Sequence, residues 1–244
     1  MEISIKAEPI FSIFNVNITN SLILSAVVFI FFAMIAIVYY RFSFWKNKNP
    51  FFYFVTYLLR SLRGLFESVL HEKVDYFFPL LASLFIYILF ENWFGLLPGV
   101  GSILIKNPTH EGPSLIPLLR GNNADLNATL SLALLSFILF QIFGIKYLGF
   151  RGYLGKFFNF SSPISFFSGI LEVISEFSKI ISFAFRLFGN VFAGEVLLTI
   201  MAFLVPILAS FPFLLLEVFV GLIQALVFSM LTAVFLSLAI TKEH

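Results

Sequence analysis

Apolar runs long enough to cross a bilayer recur along this chain, and charged or aromatic residues bound each of them. A hydrocarbon layer needs about 20 apolar residues per spanning helix. Residues 21–40, 76–97 and 126–147 meet that length and predict three upright spans. The first ends at Arg41 with Tyr39, Tyr40 and Trp45 at its aromatic edge, and the second carries Glu91 and Asn92 near its far end. From Pro163 to Ile240 the sequence stays apolar, broken only by Pro206 and Pro212. One helix over 163–205 would be about 64 Å long, twice the hydrocarbon thickness. No reversing loop divides it, so the pattern predicts a helix lying steeply tilted in the membrane. The chain then turns at 205–213 and a second long helix returns, making a tilted hairpin over 163–241.

Residues 51–72 have a different pattern. Phe51, Phe52, Tyr53, Phe54, Leu58, Leu59, Leu62, Leu65 and Phe66 share the stretch with Arg60 and Arg63. That amphipathic mixture predicts an interfacial helix in preference to a solvated linker. Pro98, Gly99, Gly101, Pro108, Gly112, Pro113 and Pro117 predict an irregular loop, with the next helix starting near Asp125. Basic residues set the orientation. The first loop holds Arg41, Lys46, Lys48, Arg60, Arg63 and Lys73, and the third holds Lys146, Arg151 and Lys156. The second holds only Lys106 and Arg120. The N-terminal segment 1–20 and the second loop are therefore expected outside, and the C-terminus in the cytoplasm. The segment ahead of the first run has two Glu against one Lys, so that run is expected to be a retained span.

Composition agrees with this picture. Hydrophobic residues make up 60% and charged residues 11% of the 244 residues, too few charges to cover a water-facing surface. The absence of Cys excludes a disulfide scaffold and a Cys-based metal site. A net charge of +2, with the basic residues spread along the chain, gives no footprint for nucleic acid. The reading is a single all-α, polytopic membrane domain over 1–244, with about five membrane helices, the last two the tilted hairpin, plus the interfacial helix.

Ionisable groups inside such helices are costly and mark a pathway by default. The hairpin carries Glu172, Glu176, Lys179, Arg186, Glu195 and Glu217, with Asn190 and Gln224. With a helical step of about 100° and Arg186 at zero, Lys179, Glu172, Asn190 and Glu176 fall on one stripe with Ser168, Ser175 and Ser182. Glu195 falls on the opposite face, and Glu217 and Gln224 share a face of the return helix. Glu172 lies about 21 Å before Arg186 and Glu195 about 13 Å after it. An arginine keeps its charge at accessible pH whereas a carboxylate exchanges protons. Arg186 thus reads as a fixed barrier to cations, and the glutamates as relay members. The plainer alternatives are a structural ion network of Glu172, Glu176 and Lys179, and mutually bonded neutral acids at Glu195 and Glu217. No acid lies three or four residues from Arg186, which points to a partner on another chain.

The run from Arg186 through Leu187, Phe188, Gly189, Asn190, Val191, Phe192, Ala193 and Gly194 to Glu195 resembles the signature of subunit a of the F-type ATP synthase. Asn20-Ser21, the segment Gly95-Leu96-Leu97-Pro98-Gly99, the segment from Ala124 to Leu130, Glu172 with Ser175, Gln224-Ala225 and the tail Lys242-Glu243-His244 extend the resemblance over nearly the whole chain. It implies a stator subunit of the Fo sector with two offset half-channels serving the carboxylates of a rotating c-subunit ring. Arg186 would be the essential stator arginine. Asn190, Glu195, Glu217 and Gln224 would line the outside half-channel and Glu172 the cytoplasmic access, while Glu176 and Ser182, on the same stripe as Arg186, are further candidates for the ion pathway. Glu217 and Glu195 stand at positions that vary in the family. Expected partners are the c-ring, peripheral-stalk b subunits, the rest of the F1Fo complex and the lipid bilayer, in a bacterial plasma membrane, with no cofactor. The coupling ion would be H+, or Na+ in the same role.

Rival readings fare worse. A secondary transporter predicts repeated halves with broken helices, and neither is visible. A purely structural subunit has no reason for Arg186 in an apolar helix. An intramembrane hydrolase needs a nucleophile and base, but His71, His110 and His244 lie outside the spans, while Asp75 and Asp125 sit at helix edges. No phosphate-binding Gly-x-x-x-x-Gly-Lys-Ser/Thr loop is present, so nucleotide chemistry and catalysis are not expected of this chain alone.

Overall fold

The computed structural model describes residues 7–13, 16–45, 48–97, 99–109, 112–157, 162–204 and 210–241. Seven α-helices dominate them: α1 (Asn20–Ser43), α2 (Pro50–Leu70), α3 (Val74–Gly95), α4 (Leu126–Leu148), α5 (Phe150–Phe157), α6 (Pro163–Leu204) and α7 (Ser210–Ile240). Two antiparallel ribbons accompany them, β1 (Pro9–Ile13) with β2 (Val16–Thr19), and β3 (Leu104–Thr109) with β4 (Gly112–Pro117). Among the described residues, five helical stretches are long and apolar enough to cross a membrane: Asn20–Ser43, Pro50–Gly95, Leu126–Leu148, Pro163–Leu204 and Phe211–Ile240. The chain is a polytopic, all-α membrane protein.

Local chemistry sets the helix ends. Thr19 caps α1, its hydroxyl accepting from the Leu22 amide at 3.4 Å, and Asp125 caps α4, accepting from the Asn127 amide at 3.0 Å. Pro50 opens α2, where its missing N–H costs nothing. His71 adopts a φ of 48°, a left-handed conformation rare for a residue with a side chain, and this breaks the apolar stretch between α2 and α3. A turn of 3-10 helix over His71–Lys73 joins the two.

The region expected to be an irregular loop contains the β3–β4 ribbon and a 3-10 turn over Asn122–Ala124. Its prolines are compatible with pairing because a two-stranded ribbon has only edge strands, and Pro108 stands opposite Pro113. The third loop likewise contains α5. The turn expected at 205–213 falls partly on residues outside the described ones, as do His110 and the Lys242-Glu243-His244 tail. The helix α7 begins with Pro212 in its first turn.

Water does not drive helices together within lipid; packing and interhelical hydrogen bonds do. Phe66 on α2, Phe77, Leu81 and Ile88 on α3, Phe140 on α4, Phe183 and Leu187 on α6, and Phe228 and Leu236 on α7 form one buried cluster. At its centre the Phe183 ring lies 6.4 Å from Phe140, 4.9 Å from Phe228 and 5.6 Å from Phe235, centroid to centroid. The helices α3 and α7 are clamped at one end, where the Asn92 amide donates to the Gly221 carbonyl at 2.9 Å and the Trp93 indole to Val218 at 3.0 Å. Gly221 permits that approach, since a Cβ there would stand 3.0 Å from Asn92 Cβ. The outward face of α6 is apolar and exposed at Ile174, Phe177, Ile181 and Phe185.

Candidate functional site

The helix α6 is continuous over 42 residues, about 63 Å at helical rise. A separate cavity lies along each of its halves. The first, about 1020 Å³, is lined from α6 by Val191, Glu195, Leu198 and Thr199, and from α7 by Glu217, Val220 and Gly221. Asn92 of α3, Asn20 of α1, Glu8 and Arg120 complete its polar wall. The β3–β4 ribbon borders it through Leu104, Leu115, Ile116 and Pro117. The second cavity, about 360 Å³, is lined by Glu172, Ser175, Glu176 and Lys179 of α6, Tyr153 and Lys156 of α5, and Phe235, Leu238 and Ala239 of α7.

Long-range contacts position the polar groups of the first cavity. Arg120, only 6% exposed, directs Nη2 at Glu195 Oε2 across 3.6 Å and at the Ala124 carbonyl at 3.5 Å. Asn20 Nδ2 donates to the Pro117 carbonyl at 3.2 Å, tying the start of α1 to the ribbon. Asn123 Nδ2 donates to Asn92 Oδ1 at 2.7 Å, linking the 3-10 turn to α3. The Glu217 carboxylate packs directly over Gly194, where an added Cβ would overlap it.

The second cavity holds a compact network. Lys179 Nζ donates to Glu176 Oε1 at 2.6 Å, and Gln141 Nε2 to Glu176 Oε2 at 3.2 Å. The Tyr153 phenol in turn donates to Gln141 Oε1, while the ammonium of Lys179 sits 4.8 Å from the centre of the Phe235 ring. Burial, with the neighbouring Glu176 and Glu172 carboxylates, pushes the Tyr153 phenol up to about 12, so it stays a donor at working pH. Four helices therefore meet around one ion pair.

Arg186 stands between the two cavities along α6. Its side chain is exposed, and Nη2 donates to Ser182 Oγ at 3.2 Å. Among the described residues no carboxylate forms an ion pair with it. Ser182 and Asn190, one turn on either side, are also exposed. The structure thus places Glu195 and Glu217 together in the first cavity, and Glu172 and Glu176 together in the second. Arg186, Ser182 and Asn190 lie on the open face, and Gln224 lies on α7 without lining either cavity.

Sequence reasoning did not single out Arg120, Asn20, Asn92, Gln141 or Tyr153 for the site. Their partners lie far away along the chain, which helical periodicity cannot reveal. One signal was available for Arg120, a lone arginine in a loop otherwise poor in basic residues.

Residues 19–237 match the family model described as ATP synthase A chain. The chain is 38% identical over 179 residues to the ATP synthase subunit a of Moorella thermoacetica, covering 73% of this chain and 72% of that protein. It is 35% identical over 191 residues to the chloroplastic ATP synthase subunit a of Oedogonium cardiacum, covering 78% of this chain and 69% of that protein.

Proposed function

The chain belongs to the ATP synthase A chain family, and from that premise we propose that it forms two offset proton half-channels against a rotating ring of c subunits. It is a multi-pass membrane component of the F1Fo complex, serves proton transport and ATP synthesis, and is not the subunit that carries the catalysis. The observation that carries the proposal is the arrangement on α6: a carboxylate-lined cavity along each half and, between them, an exposed arginine with no carboxylate partner among the described residues.

The first cavity opens to the outside, consistent with the scarcity of basic residues in the loop that borders it. A proton moves past Glu217 and Glu195 to a ring carboxylate, neutralising it so that its helix can turn into lipid. The second cavity opens to the cytoplasm and receives protons near Glu172, with Glu176 fixed beside it by Lys179 and Gln141. Arg186 meets each ring carboxylate between the two. Its charge cannot be removed at accessible pH, so it blocks direct passage from one cavity to the other. Asn190 and Ser182 flank it on the same face, and Gln224 contributes from α7. Moving one charge across 100 mV is worth about 2.3 kcal/mol, so several protons are needed per ATP.

The exposed face of α6 is the surface offered to the ring, and its length requires the hairpin to run steeply tilted. The b subunits of the peripheral stalk hold the chain against the turning ring. The membrane is a bacterial plasma membrane, with the N-terminus outside and the C-terminus in the cytoplasm. Arg186→Ala in vesicles containing the whole complex tests the proposal. Loss of ATP-driven acidification with intact assembly, together with increased passive proton leak, is expected. Retained pumping would overturn it.

A further inference from the structure

The pathway above leaves one buried acid unused. Glu91 lies near the end of α3 beside Asn92, is 1% exposed, and has no cationic partner among the described residues. Tyr87, one turn back on α3, and Ser25 of α1 stand beside it, their hydroxyls bonded to each other at 2.7 Å. Asn122, from the 3-10 turn, approaches the same phenol. Tyr87 is thus the titratable neighbour of Glu91. The groups facing it from α1 and the 3-10 turn are neutral, and the charged groups of the adjoining cavity are Glu8, Arg120, Glu195 of α6 and Glu217 of α7.

An ionised carboxylate with no counter-charge is expensive in an apolar bundle even beside two hydroxyls, so the group needs a cation to neutralise it. A proton is the smallest cation that does so. The surroundings also connect Glu91 to the first cavity. Asn92, its neighbour in the chain, lines that cavity and is bonded to Asn123, and Asn122 and Asn123 are both buried. Asn92 on the cavity wall is thus bonded to Asn123, whose chain neighbour Asn122 approaches the Tyr87–Ser25 pair.

We propose that Glu91 is a proton-binding group of the ion pathway, a buried side branch that loads from the first cavity and returns its proton to it. This rests on the reading of the first cavity as the outside half-channel. The branch keeps a proton at hand when the cavity is depleted, so its contribution is greatest when the outside is alkaline.

The test uses membrane vesicles carrying the whole complex, with Glu91→Gln, Glu91→Met and, as a reference, Arg186→Ala. Assembly is read first, then proton flow driven by an imposed potential, across a series of outside pH values and at two Na+ concentrations. Both Glu91 variants are expected to assemble, because Gln keeps an acceptor for the Ser25 and Tyr87 hydroxyls and Met removes the buried acid altogether, and to pass protons severalfold more slowly at the alkaline end with little change at the acid end. Wild-type profiles in both, with coupling lost in Arg186→Ala, would overturn the role of Glu91 and leave the half-channel reading standing. Coupling retained in Arg186→Ala would remove the half-channel reading itself. Failure of both Glu91 variants to assemble would make the carboxylate structural and overturn the proposal. So would a difference from wild type that follows Na+ instead of pH.

Discussion

The Glu217 carboxylate on α7 rests on the bare Cα of Gly194 on α6, so closely that both of its oxygens occupy the space a methyl group would need. Gly194 serves here by what it lacks, since its φ is ordinary and its helix is regular. The contact brings the carboxylate of one helix to within one residue of Glu195 on the other.

Gly194→Ala is therefore expected to displace Glu217 or push α7 away. Overpacking of this kind costs about 1–3 kcal/mol, which a five-span protein can survive. ATP-driven proton pumping in vesicles should fall severalfold while the amount of assembled complex changes little. Pumping at the wild-type rate would show that Glu217 can leave Gly194 without consequence.

The Lys179–Glu176 pair invites a double-variant comparison. Its members are only 18% and 14% exposed at their side chains, so each depends on the other for neutralisation. Lys179→Met alone leaves a carboxylate held only by Gln141, and removing one partner of a buried pair costs about 3 kcal/mol. Lys179→Met with Glu176→Met replaces the pair by apolar groups and should recover most of that loss. Thermal inactivation of the assembled complex measures the difference. Transport should stay impaired in the double variant if Glu176 belongs to the pathway, which separates its structural from its conducting role.

Tyr153 gives a dependence on pH with a definite sign. Its phenol is pushed from 10.0 to about 12, chiefly by burial, so the folded state holds the proton more tightly than the unfolded chain does. Its contribution to stability is complete below pH about 10 and is lost as pH rises toward about 12. Wild-type complex should therefore lose thermal stability faster than Tyr153→Phe across that interval. Below it, the variant should be weaker by about 1 kcal/mol, the net worth of one hydrogen bond. Parallel slopes in the alkaline range would count against a buried donor at this position.

Much of the architecture is legible in the sequence because the bilayer imposes a length on every apolar run. The polytopic, all-α class follows from that rule, and the exceptional length of 163–205 stands out against it. Arg186 stands out for a related reason, since a permanent charge is costly in an apolar helix. The ribbons are hidden because Pro108 and Pro113 read as loop residues unless their pairing is known. The walls of the first cavity are hidden because Asn20 meets Pro117, and Arg120 meets Glu195, only after the helices have packed. Glu91 is visible as an acid in a span, but Ser25 beside it and Asn122, which approaches Tyr87, come from other elements.

The continuity of α6 fixes the spacing of its polar groups in a way no loop could. Both cavities and the arginine between them hang from one rod without a proline or a break after its first residue. Adding a single residue between Glu172 and Arg186 would lengthen the rod by about 1.5 Å and swing one cavity by about 100° around the axis relative to the other. Substitutions along this helix can be absorbed one at a time by side-chain adjustment. A change in the number of residues cannot, so the count between Glu172 and Glu195 is itself a working dimension of the protein.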